Sequence, residues 1–180
     1  FVKSNVKLAD GSDVQVVGSW FNHHMNLDTG EQLDAGIASL RSWWEIKDGK
    51  CIDEQANSDE NDCMVGSNIA EKLGVKAGDK IKVKEERELN IAGVFSSGGD
   101  EDERIFTGLK AAQSLNGLEG KIDSIEVSAL TTPDNELAVK AAKDPDSLTV
   151  AQYEIWYCTA YVSSICYQIQ EVITDSVAAP

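Results

Sequence analysis

Apolar and polar residues alternate along 2–8 (VKSNVKL) and 14–20 (VQVVGSW), the period-two pattern of half-buried strands. The intervening "ADGSD" has the turn chemistry of a hairpin, with Gly11 supplying a positive φ. Residues 21–40 follow no period and are expected to be irregular, after which "SWWEIKDGKC" returns to apolar character. The run "DEQANSDEND" (53–62) reads as an acidic loop closed by Cys51 and Cys63. From there the period lengthens. Gly66 and Ser67 open a short helix with Ile69, Ala70 and Leu73 on one face, Gly74 ends it, and Ile81 and Val83 begin a strand.

Another strand is expected over 88–96 after the turn "EERE", followed by a flexible acidic loop, "SSGGDEDE". A strand end and a helix carrying Leu109, Ala112 and Leu115 come next; Ile122, Ile125 and Val127 then alternate as a strand. Residues 132–143 (TPDNELAVKAAK) read as a helix with Pro133 in its first turn. Mixed strands and short helices, closed by one long C-terminal helix, make an α+β pattern. The chain is expected to be one domain over 1–180.

The closing helix is expected over 149–173. Thr149 and Gln152 have the spacing of a capping box, with Leu148 and Tyr153 placed as a hydrophobic staple, and Pro145 stops any helix from running through. At 100° per residue the interior carries two seams. One is aliphatic: Ala151, Ile155, Cys158, Val162, Ile165, Ile169 and Ile173. Roughly opposite it lie Tyr153, Trp156, Tyr157, Ala160, Tyr161 and Tyr167. A helix apolar on two sides is either buried on both or buried on one and docked on the other. In the second case Tyr153, Trp156, Tyr157, Tyr161 and Tyr167 face a partner. A membrane span is not indicated, because a bilayer needs about 20 mostly apolar residues and Thr159, Ser163, Ser164, Gln168 and Gln170 interrupt this stretch.

Composition narrows the function. The chain has 180 residues, 31 acidic against 16 basic, and a formal net charge of -15. Phosphate binding needs clustered Lys and Arg, so a nucleic-acid surface is excluded. The sequence has no P-loop, no HExxH and no GxSxG, and "SSGGDEDE" would repel phosphate. Neither Cys158 nor Cys166 has a basic residue beside it to lower its pKa, so a thiol enzyme is the weakest reading and no catalytic residue is assigned. His23, His24 and Met25 could hold a transition metal such as copper, iron or zinc, against the alternative of two solvated loop histidines. No other cofactor is implied. The acidic loops do not fit an EF-hand.

Four cysteines are compatible with two disulfides in an oxidising compartment. In an intact helix Cys158 and Cys166 lie about 12 Å apart along the axis, whereas a disulfide needs Cα atoms within about 7 Å. If all four are oxidised within the chain, each must reach one of Cys51 and Cys63, in an order the sequence leaves open. The start at Phe1, inside a strand and without Met, suggests a piece of a longer protein.

"VGSNIAEKLGVKAGDKIKV", "LNIAGVFSSGGDEDERIFTGLKAAQSL" and "IDSIEVSALT", in that order, resemble the extracytoplasmic domain of MacB-like and FtsX-like ABC transporter permeases. "YEIWYCTAYVSSICYQIQEVI" resembles the signature of a subset of them. The resemblance implies a non-catalytic, two-lobed domain between two membrane spans of a permease, outside the bacterial plasma membrane. Its partners would be an ABC ATPase subunit reached through the parent membrane protein, a second permease subunit and an extracytoplasmic partner protein. It would couple ATP-driven motion to substrate or partner handling. The rival is a metal-binding module of an iron or copper uptake system, since His23, His24 and Met25 match no motif of the family.

Overall fold

The computed structural model describes residues 1–8, 10–56, 59–83 and 87–180, and the chain divides into two compact units, Phe1–Glu126 and Val127–Pro180. In the first unit the alternating segments pair as expected. Strands β1 (Val2–Lys7) and β2 (Asp13–Ser19) form an antiparallel hairpin with Val6 opposite Val14, turning through Gly11 at φ 84°. A positive φ of this kind suits a residue without Cβ. The central strands follow from the longer apolar runs: β6 (Asp62–Gly66), β8 (Arg87–Ser96) and β9 (Arg104–Gly108), with β7 (Lys80–Val83) and β5 (Glu45–Gly49) both antiparallel to β8. The sheet order is β1-β2-β9-β6-β8-β5, with β7 beside the first half of β8. β2–β9 and β6–β8 run parallel and β6–β9 antiparallel.

Period-two alternation divides the side chains of this sheet between two cores. Val16, Cys63, Val65, Val94 and Ile105 join Ile69 and Ala70 of α2 (Ser67–Leu73) and Leu115 of α3 (Leu109–Asn116). Their immediate neighbours Val17, Met64, Phe95 and Phe106 point the other way, onto Phe21, Ile37 and Ile52, with Trp44 stacked on Phe95 at 3.8 Å. Helix α3 approaches β2 closely at Gly18, where a Cβ would collide with Ala112.

Several expected elements differ. Residues 21–40 are ordered: β3 (His23–Asn26) and β4 (Gln32–Ala35) form a separate two-stranded hairpin, followed by the single turn α1 (Ile37–Leu40). The "DTG" that breaks the period there is the hairpin's own turn, held by Leu27 N–H to Glu31 O and Gly30 N–H to Leu27 O, each 2.9 Å. The acidic tract contains a 3₁₀ turn, Asp100–Glu103, with Asp102 buried. Ile122, Ile125 and Val127 do not form a strand. Asp123 and Ser124 donate their N–H groups to Phe1 O without extending into a ladder among the described residues, and Ile125 stays 60% exposed. Part of the turn read at "EERE", residues 84–86, lies outside the described residues.

The second unit is helical. Its first helix, α4 (Glu136–Lys143), starts later than Pro133 because Asn135 is the cap, accepting from Ala138 N–H at 3.0 Å. The capping box at Thr149 forms as expected, with reciprocal hydrogen bonds to Gln152 of 3.3 and 3.1 Å. The stretch 149–173 is nonetheless two helices, α5 (Val150–Tyr157) and α6 (Val162–Val172), rather than one. No Gly or Pro breaks it. The Tyr157 carbonyl accepts from Ser164 Oγ (3.0 Å) and Gln168 Nε2 (2.9 Å), side chains that replace the helical N–H donor and turn α6 back. Turning back lets Tyr161 and Tyr167 close over Trp156, which is 1% exposed, together with Ala138 and Ala141 of α4. A straight helix would leave that aromatic seam facing water.

Candidate functional site

The residues marked out as a partner-facing seam are the core of the second unit. Trp156 and Tyr161 are buried; Tyr153, Tyr157 and Tyr167 are half-buried around them. Tyr153 meets Trp156 edge-on at 5.6 Å and Trp156 meets Tyr167 edge-on at 5.2 Å, the geometry the ring quadrupoles favour. The hydrogen bond with Tyr153 pushes the Tyr167 phenol up to about 12. The aliphatic seam is the more exposed of the two, with Ile155 58% and Ile173 43% exposed and Cys158 outward, while Val162, Ile165 and Ile169 are half-buried. The two seams have exchanged roles because aromatic rings bury more area per residue and claim the interior.

All four cysteines are free thiols, so the expected cross-links between Cys51 or Cys63 and Cys158 or Cys166 are absent. Cys63 is enclosed in β6 by the first unit's own core, and burial pushes its thiol far above the usual range. Burial also raises Cys51. Burial thus disfavours the thiolate, the nucleophilic form, in both.

His23, His24 and Met25 are not brought to one point. They are successive residues of β3, so His23 and Met25 share one face and His24 takes the other. His24 Nδ1 lies 2.7 Å from Asp34, its direct cross-strand partner; His23 Nδ1 lies 3.4 Å from Glu54 and its ring stacks on Trp20 at 4.4 Å. Among the described residues no group of three His, Cys, Asp or Glu side chains is arranged to hold a metal.

The acidic tract holds two arrangements that no spacing in the sequence announces. Asp102 accepts from Ser97 N–H (2.5 Å), Ser97 Oγ (2.9 Å) and Ser96 Oγ (3.2 Å). Burial would raise this carboxyl, but the hydrogen bonds outweigh it and hold Asp102 below the usual range. Glu101 accepts from Trp44 Nε1 at 2.8 Å and from Arg41 Nε at 2.9 Å, while Arg41 Nη2 reaches Glu126 at 2.6 Å. The guanidinium also lies over the rings of Phe1 (5.9 Å) and Trp43 (5.4 Å). Arg41 thus ties the acidic turn to the last residue of the first unit. The earliest signal of it is an isolated Arg beside two Trp in an acidic chain.

No helix among the described residues is long and apolar enough to cross a membrane. The family model of the MacB-like periplasmic core domain matches residues 4–155. A crystal structure described as a domain of a permease protein from Porphyromonas gingivalis is 20% identical, with a TM-score of 0.37, covering 64% of this chain and 46% of its own. The chain therefore spans under half the length of that structure. None of the curated proteins matches. With the family model covering most of its length, this chain belongs to the MacB-like periplasmic core domain family, the extracytoplasmic domain of ABC-type permeases.

Proposed function

We propose that this domain is a non-catalytic coupling element, which converts ATP-driven motion of an ABC transporter into movement of its two units at the outer side of the bacterial plasma membrane. The observation that carries the reading is the family match over residues 4–155. Two features support it: the first unit's exit is anchored by the Arg41–Glu126 ion pair, and the second unit has a core of its own. The partners are the ABC ATPase, reached through the parent permease, and a second permease subunit. Substrate or partner handling outside the membrane is the output.

The test is a distance measurement in the full-length transporter, with spin labels at exposed positions of the two units, such as Lys82 and Val139. The distance distribution should shift between the nucleotide-free and ATP-trapped states. An unchanged distribution with active ATP turnover would overturn the coupling role.

A further inference from the structure

The β3–β4 hairpin stands outside the seven-stranded sheet, and its two faces differ in kind. On one face polar side chains satisfy each other across the strands: His24 with Asp34, and Gln32 Nε2 donating to Asn26 Oδ1 at 3.2 Å. The other face is apolar. Met25 is directly opposite Leu33, Leu27 continues the same side, and His23 carries Trp20 stacked against its ring. Leu33 is 48%, Leu27 40% and Trp20 37% exposed, and none of the three belongs to a core cluster. An exposed group of one Trp and two Leu beside the half-buried Met25, on a hairpin outside the main sheet, has the composition of an interface centre rather than of ordinary surface.

The charges around it select the occupant. Residues 20–40 contain no Lys or Arg, and neither do residues 51–63. Asp28 and Glu31 sit at the tip, while Asp53 and Glu54 border the base, where Glu54 faces His23 and Asp53 accepts from Asn22. This rim repels anionic lipid headgroups, and a second copy would bring the same carboxylates against it. We propose that the apolar face of the β3–β4 hairpin docks a separate protein, whose complementary surface is an apolar slot bordered by Lys and Arg. The apolar face supplies affinity; the acid rim supplies orientation and on-rate. The inference rests on the hairpin alone and stands or falls independently of the coupling role.

The experiment places the photo-cross-linker p-benzoylphenylalanine at Leu33 of the full-length protein in its own cells, with the same residue at Val139 as control. Adducts are identified by mass spectrometry, and the adduct protein is purified for titration. The proposal expects one protein cross-linked from Leu33 and not from Val139. Its binding should weaken roughly tenfold or more between about 50 and about 300 mM salt. It should weaken similarly in Leu33→Asp and in the pair Asp28→Lys, Glu31→Lys, but not in Val139→Asp. Adducts only to lipid, only to a second copy, or none at all overturn it, as does a partner whose binding ignores salt and the rim charges.

Discussion

Trp156 Nε1 donates to Ser163 Oγ at 3.0 Å across the turn that separates α5 from α6, so a buried indole is satisfied by the helix that folds back over it. One residue thus supplies both the apolar centre of the second unit and a polar latch for its fold.

Replacing Trp156 by Ala should remove most of the second unit's stability. Truncating a buried Trp costs about 3–5 kcal/mol, a large share of what so small a unit can hold. Trp156→Phe keeps the ring packing and loses only the latch, at about 1 kcal/mol. Hydrogen exchange should show 136–172 losing protection in Trp156→Ala while the strands of the first unit keep theirs; uniform loss across both units would refute a separate core.

Acid should loosen the acidic 3₁₀ turn. The folded pKa of Asp102 lies below its unfolded one, so its contribution is complete above about pH 4 and is lost as pH falls through the folded value. Asp102→Asn should lower stability at neutral pH by about 1–3 kcal/mol and flatten this part of the acid limb. Urea unfolding of the two proteins between neutral pH and pH 3 measures the difference. An equal acid sensitivity in both would show that Asp102 is not the group responsible.

The thiols should react in order of exposure. Cys158, on the outward aliphatic seam, should be alkylated first by iodoacetamide and Cys63 only after unfolding. Peptide mapping of the non-reduced native protein should find four free thiols. A bridge to Cys63 would require the core around β6 to be arranged differently.

Transition metals should bind no more tightly to the native chain than to the His23→Ala, His24→Ala double variant, because the two rings leave β3 on opposite faces and each meets one carboxylate. Calorimetric titration with copper, zinc or iron decides it. A tight site lost in the double variant would restore the metal-uptake reading.

Shape asymmetry at Gly18 gives a fifth expectation. Gly18→Val would drive a side chain into Ala112 and lift α3 from β2, destabilising the first unit by about 1–3 kcal/mol, the range for overpacked cores. The midpoint of urea unfolding should fall accordingly.

By itself the sequence determined what local periodicity and turn chemistry can determine. The β1–β2 hairpin, the α2 helix with its glycine end, the β8, β9 and α3 succession and the capping box at Thr149 all follow from residues close together in the chain, and the family follows from their order. The hairpin at 23–35 was hidden because its strands are four residues each, too short for a period to emerge. Tertiary structure decided the rest. Ile122, Ile125 and Val127 alternate like a strand but, among the described residues, lack the ladder partner that a strand needs. The 149–173 stretch keeps helical periodicity through its break, since nothing local forbids a straight helix. The fold-back depends on Ser164 and Gln168 reaching the Tyr157 carbonyl and on Trp156 needing cover. Which of two apolar seams turns inward depends on what else is present to bury it, and that is a property of the packed unit rather than of the seam.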